Sequence, residues 1–296
     1  MTDSTCAFIA IVGRPNVGKS SILNRIVGEK VAIVSDKPQT TRTKITGVVT
    51  KDECQLVFID TPGLHKPHNA LGENMVKAVK DGMTDVDCCV LTVQADEKIA
   101  PAERDLIERF KKTGVPAVLA INKIDLVQNK EQLLSIIGEY SSLYDFAAVV
   151  PVSAKDGSNI DALCGELYKF AKPSPHFFDD DSFTDQPERV LAAEMIREKL
   201  LRSLEKEVPH GIAIDIERFA ERDDGILDLF ASIYCEKQSH KGIIIGKGGA
   251  MLKRVGTAAR YDLEKFFGCK VNLKLWVKVK ENWRDRQGSI HNFGLD

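Results

Sequence analysis

The chain has no CxxC pair, no histidine at zinc-ligating distance from a cysteine, and no apolar run near the roughly 18 residues of a membrane-spanning helix. Its seven cysteines, Cys6, Cys54, Cys88, Cys89, Cys164, Cys235 and Cys269, are odd in number and scattered. They read as small buried hydrophobes, not as a disulfide framework or a metal site. The N-terminus, Met1 to Thr5, lacks the basic start of a secretory signal, so a cytoplasmic location is expected. No charge of one sign dominates: 41 Lys and Arg face 43 Asp and Glu in 296 residues, 43% of which are hydrophobic. That composition excludes a disordered or fibrous chain. The length suffices for two domains with separate cores.

The balance of charge breaks locally. Between Lys237 and Arg286 there are 13 Lys and Arg against 4 Asp and Glu, which makes this segment a candidate polyanion surface. Further upstream, the apolar runs Phe8–Val12, Leu56–Ile59, Cys88–Val93, Ala117–Ile121 and Ala147–Val152 alternate with helical patterns. This predicts a doubly wound, mostly parallel α/β sheet, which binds ligands at the carboxyl ends of its strands. Residues 173–187 (PSPHFFDDDSFTDQP) carry prolines and aspartates without Lys, Arg or periodicity and are expected to be a linker. The predicted domains are therefore 1–172 and 188–296. The second is α+β, with helices over Glu188–Lys206 and Lys253–Phe267 and strands over Gly211–Phe219, Ile226–Cys235 and Val271–Val279.

Gly13, Arg14, Pro15, Asn16, Val17, Gly18, Lys19 and Ser20 follow the first strand, and Ser21 continues into a helical pattern. That is the setting a P-loop requires. Its backbone N–H groups and the helix N-terminus face phosphate, Lys19 reaches the β and γ oxygens, and Ser20 can ligate Mg²⁺. Asp60, Thr61, Pro62 and Gly63 end the Leu56–Ile59 strand. Asp60 can hold Mg²⁺ through water, while the Gly63 N–H meets the γ-phosphate. Asn122, Lys123 and Asp125 follow the fourth run. A carboxylate at 125 accepts from both N1–H and the exocyclic amine of guanine, which adenine cannot match, and Lys123 packs along the base. Ser153, Ala154 and Lys155 complete the base pocket. Together these select GTP and GDP over ATP.

Residues 35–46 (SDKPQTTRTKIT) form a candidate first switch. Thr41 is the favoured Mg²⁺ hydroxyl, Thr40 is its rival, and either can instead be a simple loop hydroxyl. In the second domain, Ile243, Ile244 and Ile245 precede Gly246, Lys247, Gly248 and Gly249, a GxxG loop before a helix. This is a KH signature: the small residues admit a nucleic-acid backbone, Lys247 and Lys253 add positive charge, and the isoleucines flank a groove for unstacked bases. Strand Val271–Val279 alternates, with its valines and leucines toward the core. Trp276 and its lysines either touch RNA or simply solvate the sheet.

The segments GRPNVGKS, PQTTR, DTPGLH, NKID and SAK resemble those of the Era family of bacterial ribosome-assembly GTPases. The likeness continues through Ala193 to Leu200, Ile216 to Phe219, Ile245 to Gly249 and Leu275 to Lys280. It implies a P-loop GTPase domain followed by a type II KH domain, slow GTP hydrolysis, and a monomer. It also implies binding to the 3′ end of 16S rRNA, assistance to 30S subunit maturation, and peripheral association with the inner membrane, although no lipidation motif or strong amphipathic anchor is present. Leu64 stands where Ras-like enzymes place a water-orienting glutamine. Asn16 matches a residue that related GTPases use for K⁺, which would then supply the charge of an arginine finger; the alternative is a loop-stabilising amide. Lys19, Asn16, Thr41 and Gly63 are the expected catalytic set, and His65 and His68 read as exposed loop histidines. Two rival readings stay open: a GTPase that drives tRNA modification, and a constitutive RNA-binding module.

Overall fold

The computed structural model describes residues 4–63, 69–127, 129–205 and 208–295. They fall into two units. The first comprises residues 4–34, 41–63 and 75–185, and the second comprises 35–40, 69–74 and 186–295.

In the first unit, apolar runs become strands wherever both faces can be covered: Thr5–Val12 (β1), Cys54–Asp60 (β3), Cys88–Gln94 (β4), Ala117–Asn122 (β5) and Ala148–Pro151 (β6). Ile45–Lys51 (β2), part of which had been assigned to the switch, pairs antiparallel with β3. The order is β2-β3-β1-β4-β5-β6, parallel except at β2. Lys19–Val27 (α1) and Ile160–Tyr168 (α5) bury Ile22, Leu23, Leu163 and Leu167 in the core on one face of the sheet. Pro101–Thr113 (α3) and Lys130–Leu143 (α4) bury Leu106, Ile107, Phe110 and Tyr140 in the core on the other. Ala70–Gly82 (α2) precedes β4. Burial pushes the Cys88 and Cys89 thiols up to about 12, so they act as apolar filling.

The stretch read as a linker is part of this unit as far as residue 185. Lys172–Pro173 (β7) pairs with β1. The fully buried Gln55 then accepts from the Phe177 and Phe178 amides at 2.8 and 3.1 Å, and the Val48 N–H donates to the Phe183 carbonyl at 2.9 Å. Proline and aspartate prevent a regular element here, yet extended backbone can still cover the open edge at β2.

The second unit is a three-stranded sheet, Ala213–Glu221 (β8), Leu227–Cys235 (β9) and Val271–Val279 (β10), in the order β10-β9-β8. β8 is antiparallel to β9, and β9 is parallel to β10. Glu188–Ser203 (α6), Gln238–Ile245 (α7) and Ala250–Phe267 (α8) share its core. Ala192, Met195, Ile196 and Leu200 come from α6, Ile244 from α7, and Val255, Ala259 and Leu263 from α8. The last three recur every four residues, one stripe of a helix. The sequence reading sets the GxxG loop between two helices but gives the first no bounds; α7 is eight residues long and buries a single side chain, so it carries no periodic signal. Gln287–Asn292 (α9) follows the buried Trp283, whose Nε1 donates to the Gly211 carbonyl at 2.9 Å.

Candidate nucleotide site and nucleic-acid interface

The P-loop joins β1 to α1, and close approach dictates its glycines. At Gly13 (φ 150°) a Cβ would lie 2.3 Å from the Thr92 carbonyl oxygen, and at Gly18 (φ 98°) 2.2 Å from Asn122 Nδ2. A Cβ on Gly63 would meet the Pro15 backbone at 2.6 Å, so DTPG and the P-loop are in backbone contact. Lys19 is buried, and its Nζ donates to the carbonyls of Gly13 (3.2 Å) and Arg14 (2.9 Å). Asn16 is exposed at φ 65°. Pro15 and Val17 complete the loop, and Ser21 lies in the first turn of α1.

Three hard oxygens converge beside Lys19. Ser20 Oγ donates to Asp60 Oδ2 at 2.6 Å and lies 3.0 Å from Thr41 Oγ1. Asp60 is fully buried, and its other oxygen, Oδ1, has no hydrogen-bond partner among the described residues. An unpaired buried carboxylate oxygen is costly. Two hydroxyls and such a carboxylate are the donor set Mg²⁺ takes, so the residues present fit that ion. Burial pushes the Asp60 carboxyl up to about 6, against the pull of Lys19 and the Ser20 hydroxyl. Burial lowers Lys19 to about 8, against Asp60. Thr40 faces elsewhere: its hydroxyl donates to the Lys37 carbonyl at 2.6 Å and lies 2.8 Å from Ser35 Oγ.

The segments expected to read the base are tied together by Asn122, which is itself buried. Its Nδ2 donates to the Val17 carbonyl at 2.8 Å, and its Oδ1 accepts from the Ala154 N–H at 3.1 Å. One amide thus links the ends of β1, β5 and β6. Lys123 adopts φ 65° and donates to Gln94 Oε1 at 2.5 Å. Asp125 accepts from Ser153 Oγ at 3.0 Å and lies 3.4 Å from Lys155 Nζ. Thr61 donates to the Ile11 carbonyl through both its N–H and its hydroxyl, which fixes the turn into Pro62 and Gly63. Leu64, His65 and His68 lie outside the described residues.

Sequence reasoning missed the support for the P-loop. Arg14 donates from Nε to Glu103 Oε1 at 2.6 Å and from Nη2 to Glu97 Oε2 at 2.7 Å. Glu103 is fully buried, and its Oε2 accepts from Tyr140 Oη at 2.8 Å and the Ala100 N–H at 2.7 Å. Burial and this carboxylate raise the Tyr140 hydroxyl well above its ordinary range. Arg25 donates to the Lys155 carbonyl at 2.7 Å and so supports the SAK loop. A glutamate at the third position of a helix reads as a cap, and no pattern in the chain distinguishes it from a loop anchor.

In the second unit the GxxG turn connects α7 to α8. Gly246 (φ 74°) is required, since a Cβ there would lie 2.7 Å from that of Met251. Gly248 (φ 57°) and Gly249 (φ 79°) face open space. Beside them, α8 and the edge strand β10 enclose a groove of about 390 Å³. Leu252, Leu273 and Leu275 provide its apolar surface, and Lys253 and Arg260 its charge. A Cβ on Gly256 of α8 would sit in ordinary van der Waals contact with Leu275 Cδ1, at 3.5 Å. The isoleucine run does not line this groove. Ile244 is wholly buried, whereas Ile243 is 49% exposed, because the helical turn of α7 sends consecutive side chains in different directions. The groove's apolar wall comes instead from β10 and the first turns of α8. Lys247, Lys253 and Arg260 make no ion pair among the described residues. Trp276 is 43% exposed and packs edge-on to Phe230, with Lys274 over the same ring. No described helix is long and apolar enough to cross a membrane.

Similarity to known proteins follows the same division. Residues 8–123 match a family described as 50S ribosome-binding GTPase, and residues 207–284 match the KH domain. The chain is 51% identical to GTPase Era of Clostridioides difficile, with 98% of each chain covered. It is 48% identical to GTPase Era of Ruminiclostridium cellulolyticum, covering 97% of this chain and 96% of that relative. Among solved structures it matches Era in complex with MgGDPNP and nucleotides 1506–1542 of 16S ribosomal RNA, with TM-score 0.95, 36% identity and 99% of both chains covered. An Aquifex aeolicus Era variant bound to GDP.AlF4- matches with TM-score 0.94 at 36% identity, covering 98% of this chain and 99% of that one.

Proposed function

Because the chain belongs to the Era family of GTPases, we propose that it is a GTP-hydrolysing switch whose KH groove binds the 3′-terminal region of 16S rRNA during 30S subunit maturation. The observation that carries this is the groove beside the GxxG turn, apolar on one wall and lined by cations that make no ion pair among the described residues. A solved relative carries RNA nucleotides 1506–1542, and single-stranded RNA is what an apolar, basic KH groove takes. We place the protein in the cytoplasm, with its RNA.

In the nucleotide site, Ser20, Thr41 and Asp60 would hold Mg²⁺, which when bound neutralises charge developing on the β and γ phosphate oxygens. Lys19 moves from the P-loop carbonyls to the phosphates, and the Gly63 N–H meets the γ-phosphate. Asp125 reads guanine, and Asn122 keeps the base loop in register with the P-loop. Asn16 is assigned to K⁺ as an additional cation; equal hydrolysis rates in KCl and NaCl would remove that role. Nucleotide and RNA sites coupled by roughly 1–3 kcal/mol must act reciprocally, so RNA tightens GTP binding.

The test is RNA affinity of the purified protein, loaded with a non-hydrolysable GTP analogue or with GDP, against the 16S 3′-end strand and a tRNA. Tight binding to the rRNA strand, favoured by the GTP analogue, is expected. Equal affinity for both RNAs in both nucleotide states would overturn the switch and favour a constitutive RNA-binding module.

A further inference from the structure

A second face of α8 carries groove-like chemistry outside the GxxG groove. Ala250, Arg254, Ala258 and Tyr261 recur at helical spacing and line a depression of about 720 Å³ beside Lys199 of α6. Lys253 and Thr257 border both this depression and the GxxG groove, so the two are continuous over the helix.

Its side chains are unusual for a solvated surface. Tyr261 is 70% exposed and stacks on no other ring among the described residues. Among the described residues Arg254 donates to the Met251 sulfur alone, at 3.1 Å, and makes no ion pair. Lys253 has no ion-pair partner among the described residues. By contrast, Lys199 is already neutralised by Asp262 and Glu198. The depression therefore offers one open aromatic face, two cations without an ion-pair partner among the described residues, and two alanines that leave room beside the ring, while its one lining carboxylate, Asp262, is paired with Lys199. That combination suits a nucleotide, with its base stacked and its phosphate paired. A protein partner would need carboxylates at both cations and gains no register from a lone tyrosine.

We propose that this face of α8 is a second RNA contact, holding a nucleotide that flanks those in the GxxG groove, its base on Tyr261 and its phosphate on Lys253 and Arg254. The proposal rests on the RNA-binding reading above and extends it by one subsite.

The test uses the full-length protein with a non-hydrolysable GTP analogue and fluorescence anisotropy. The probes are single strands tiled from 16S nucleotides 1506–1542 and trimmed from each end to the shortest that binds. Tyr261→Ala should weaken the longer strands about 5- to 150-fold, the range of one base–aromatic stack, and leave the shortest within about twofold. Tyr261→Phe should restore binding, since the ring is retained. Arg254→Ala should reduce the slope of log affinity against log salt by about one, on the longer strands only. Both positions lie on the surface of α8, and an unchanged melting temperature verifies folding. If wild type binds the strands but Tyr261→Ala binds all of them equally well, the subsite is overturned and the depression serves something other than RNA. A uniform loss on long and short strands also overturns it, because Tyr261 would then belong to the first groove. If wild type binds no strand, the RNA reading itself fails, and this extension with it.

Discussion

Glu103→Gln probes the P-loop support without changing side-chain volume. The carboxylate accepts from three donors: Arg14 Nε, Tyr140 Oη and the Ala100 N–H. Glutamine supplies one carbonyl oxygen and one NH₂ group. With the NH₂ toward Arg14, two donors oppose each other. With the NH₂ toward Tyr140, that hydroxyl can turn to accept, but the Ala100 N–H loses its partner. Either way one buried donor is stranded, at about 1–3 kcal/mol, and a charge-assisted bond becomes a neutral one, so the sum is about 3 kcal/mol. For a domain of this size, thermal unfolding should fall by about 6–12 °C.

The same change should reach the nucleotide. The Arg14 carbonyl accepts from Lys19 Nζ at 2.9 Å, so an unclamped Arg14 lets the P-loop drift from its preorganised path. A loss of about 1.4 kcal/mol in binding would be a tenfold weaker Kd for GDP, read by titration of a fluorescent analogue below the melting transition. A melting temperature lowered by less than about 2 °C would refute the buried-network reasoning. A normal loss of stability with unchanged GDP affinity would show that Glu103 holds helix α3 and not the loop.

Asp125→Asn replaces one of two acceptors by a donor, so GTP affinity should fall by at least about a hundredfold while xanthine nucleotides, which offer an acceptor at that edge, recover binding; competition titration reads both. Thr41→Ala should weaken Mg²⁺-dependent hydrolysis by at least about tenfold, whereas Thr40→Ala should leave it within about threefold; the reverse order in single-turnover assays would assign the ligand to Thr40. Mg²⁺ must displace the proton on Asp60, raised by burial to about 6, so Mg-nucleotide affinity should drop about tenfold per pH unit below 6, visible by calorimetry. In the nucleotide-free protein the sign reverses. The folded carboxyl titrates above its unfolded value of 3.8, the folded state binds more protons between about pH 4 and 6, and stability should decline as pH rises through that window.

The doubly wound sheet and the loops at its strand ends were legible because each is a local pattern: an apolar run, then a turn whose chemistry is tied to its neighbours in sequence. Gly13, Asp60 and Asn122 sit at the ends of β1, β3 and β5, and Lys19 opens α1. Strand β10 was legible from alternation alone, Val271–Val279 in sequence and in structure. What escaped was non-local. Gln55, more than 120 residues from Phe177 and Phe178, converts an apparent linker into an edge-covering strap. Glu103 reaches Arg14 across 89 residues. Neither residue type announces its partner.

The isoleucines show the complementary failure. An apolar triplet beside a GxxG turn reads as a groove wall if its three side chains are taken to share a face, as in a short extended segment. Helix α7 forbids that. At about 100° per residue, Ile243, Ile244 and Ile245 diverge: Ile244 is buried in the core, Ile245 packs against it partly buried, and Ile243 is 49% exposed. The wall had to come from an element whose side chains do share a face at that edge, and β10 supplies it. Leu273 and Leu275 are two residues apart on one side of the strand and border the groove together. The sequence reading had assigned these leucines to the core. They are both core and groove, because β10 is the sheet's edge strand and its inner-face leucines pack against the core while bordering the groove at that edge.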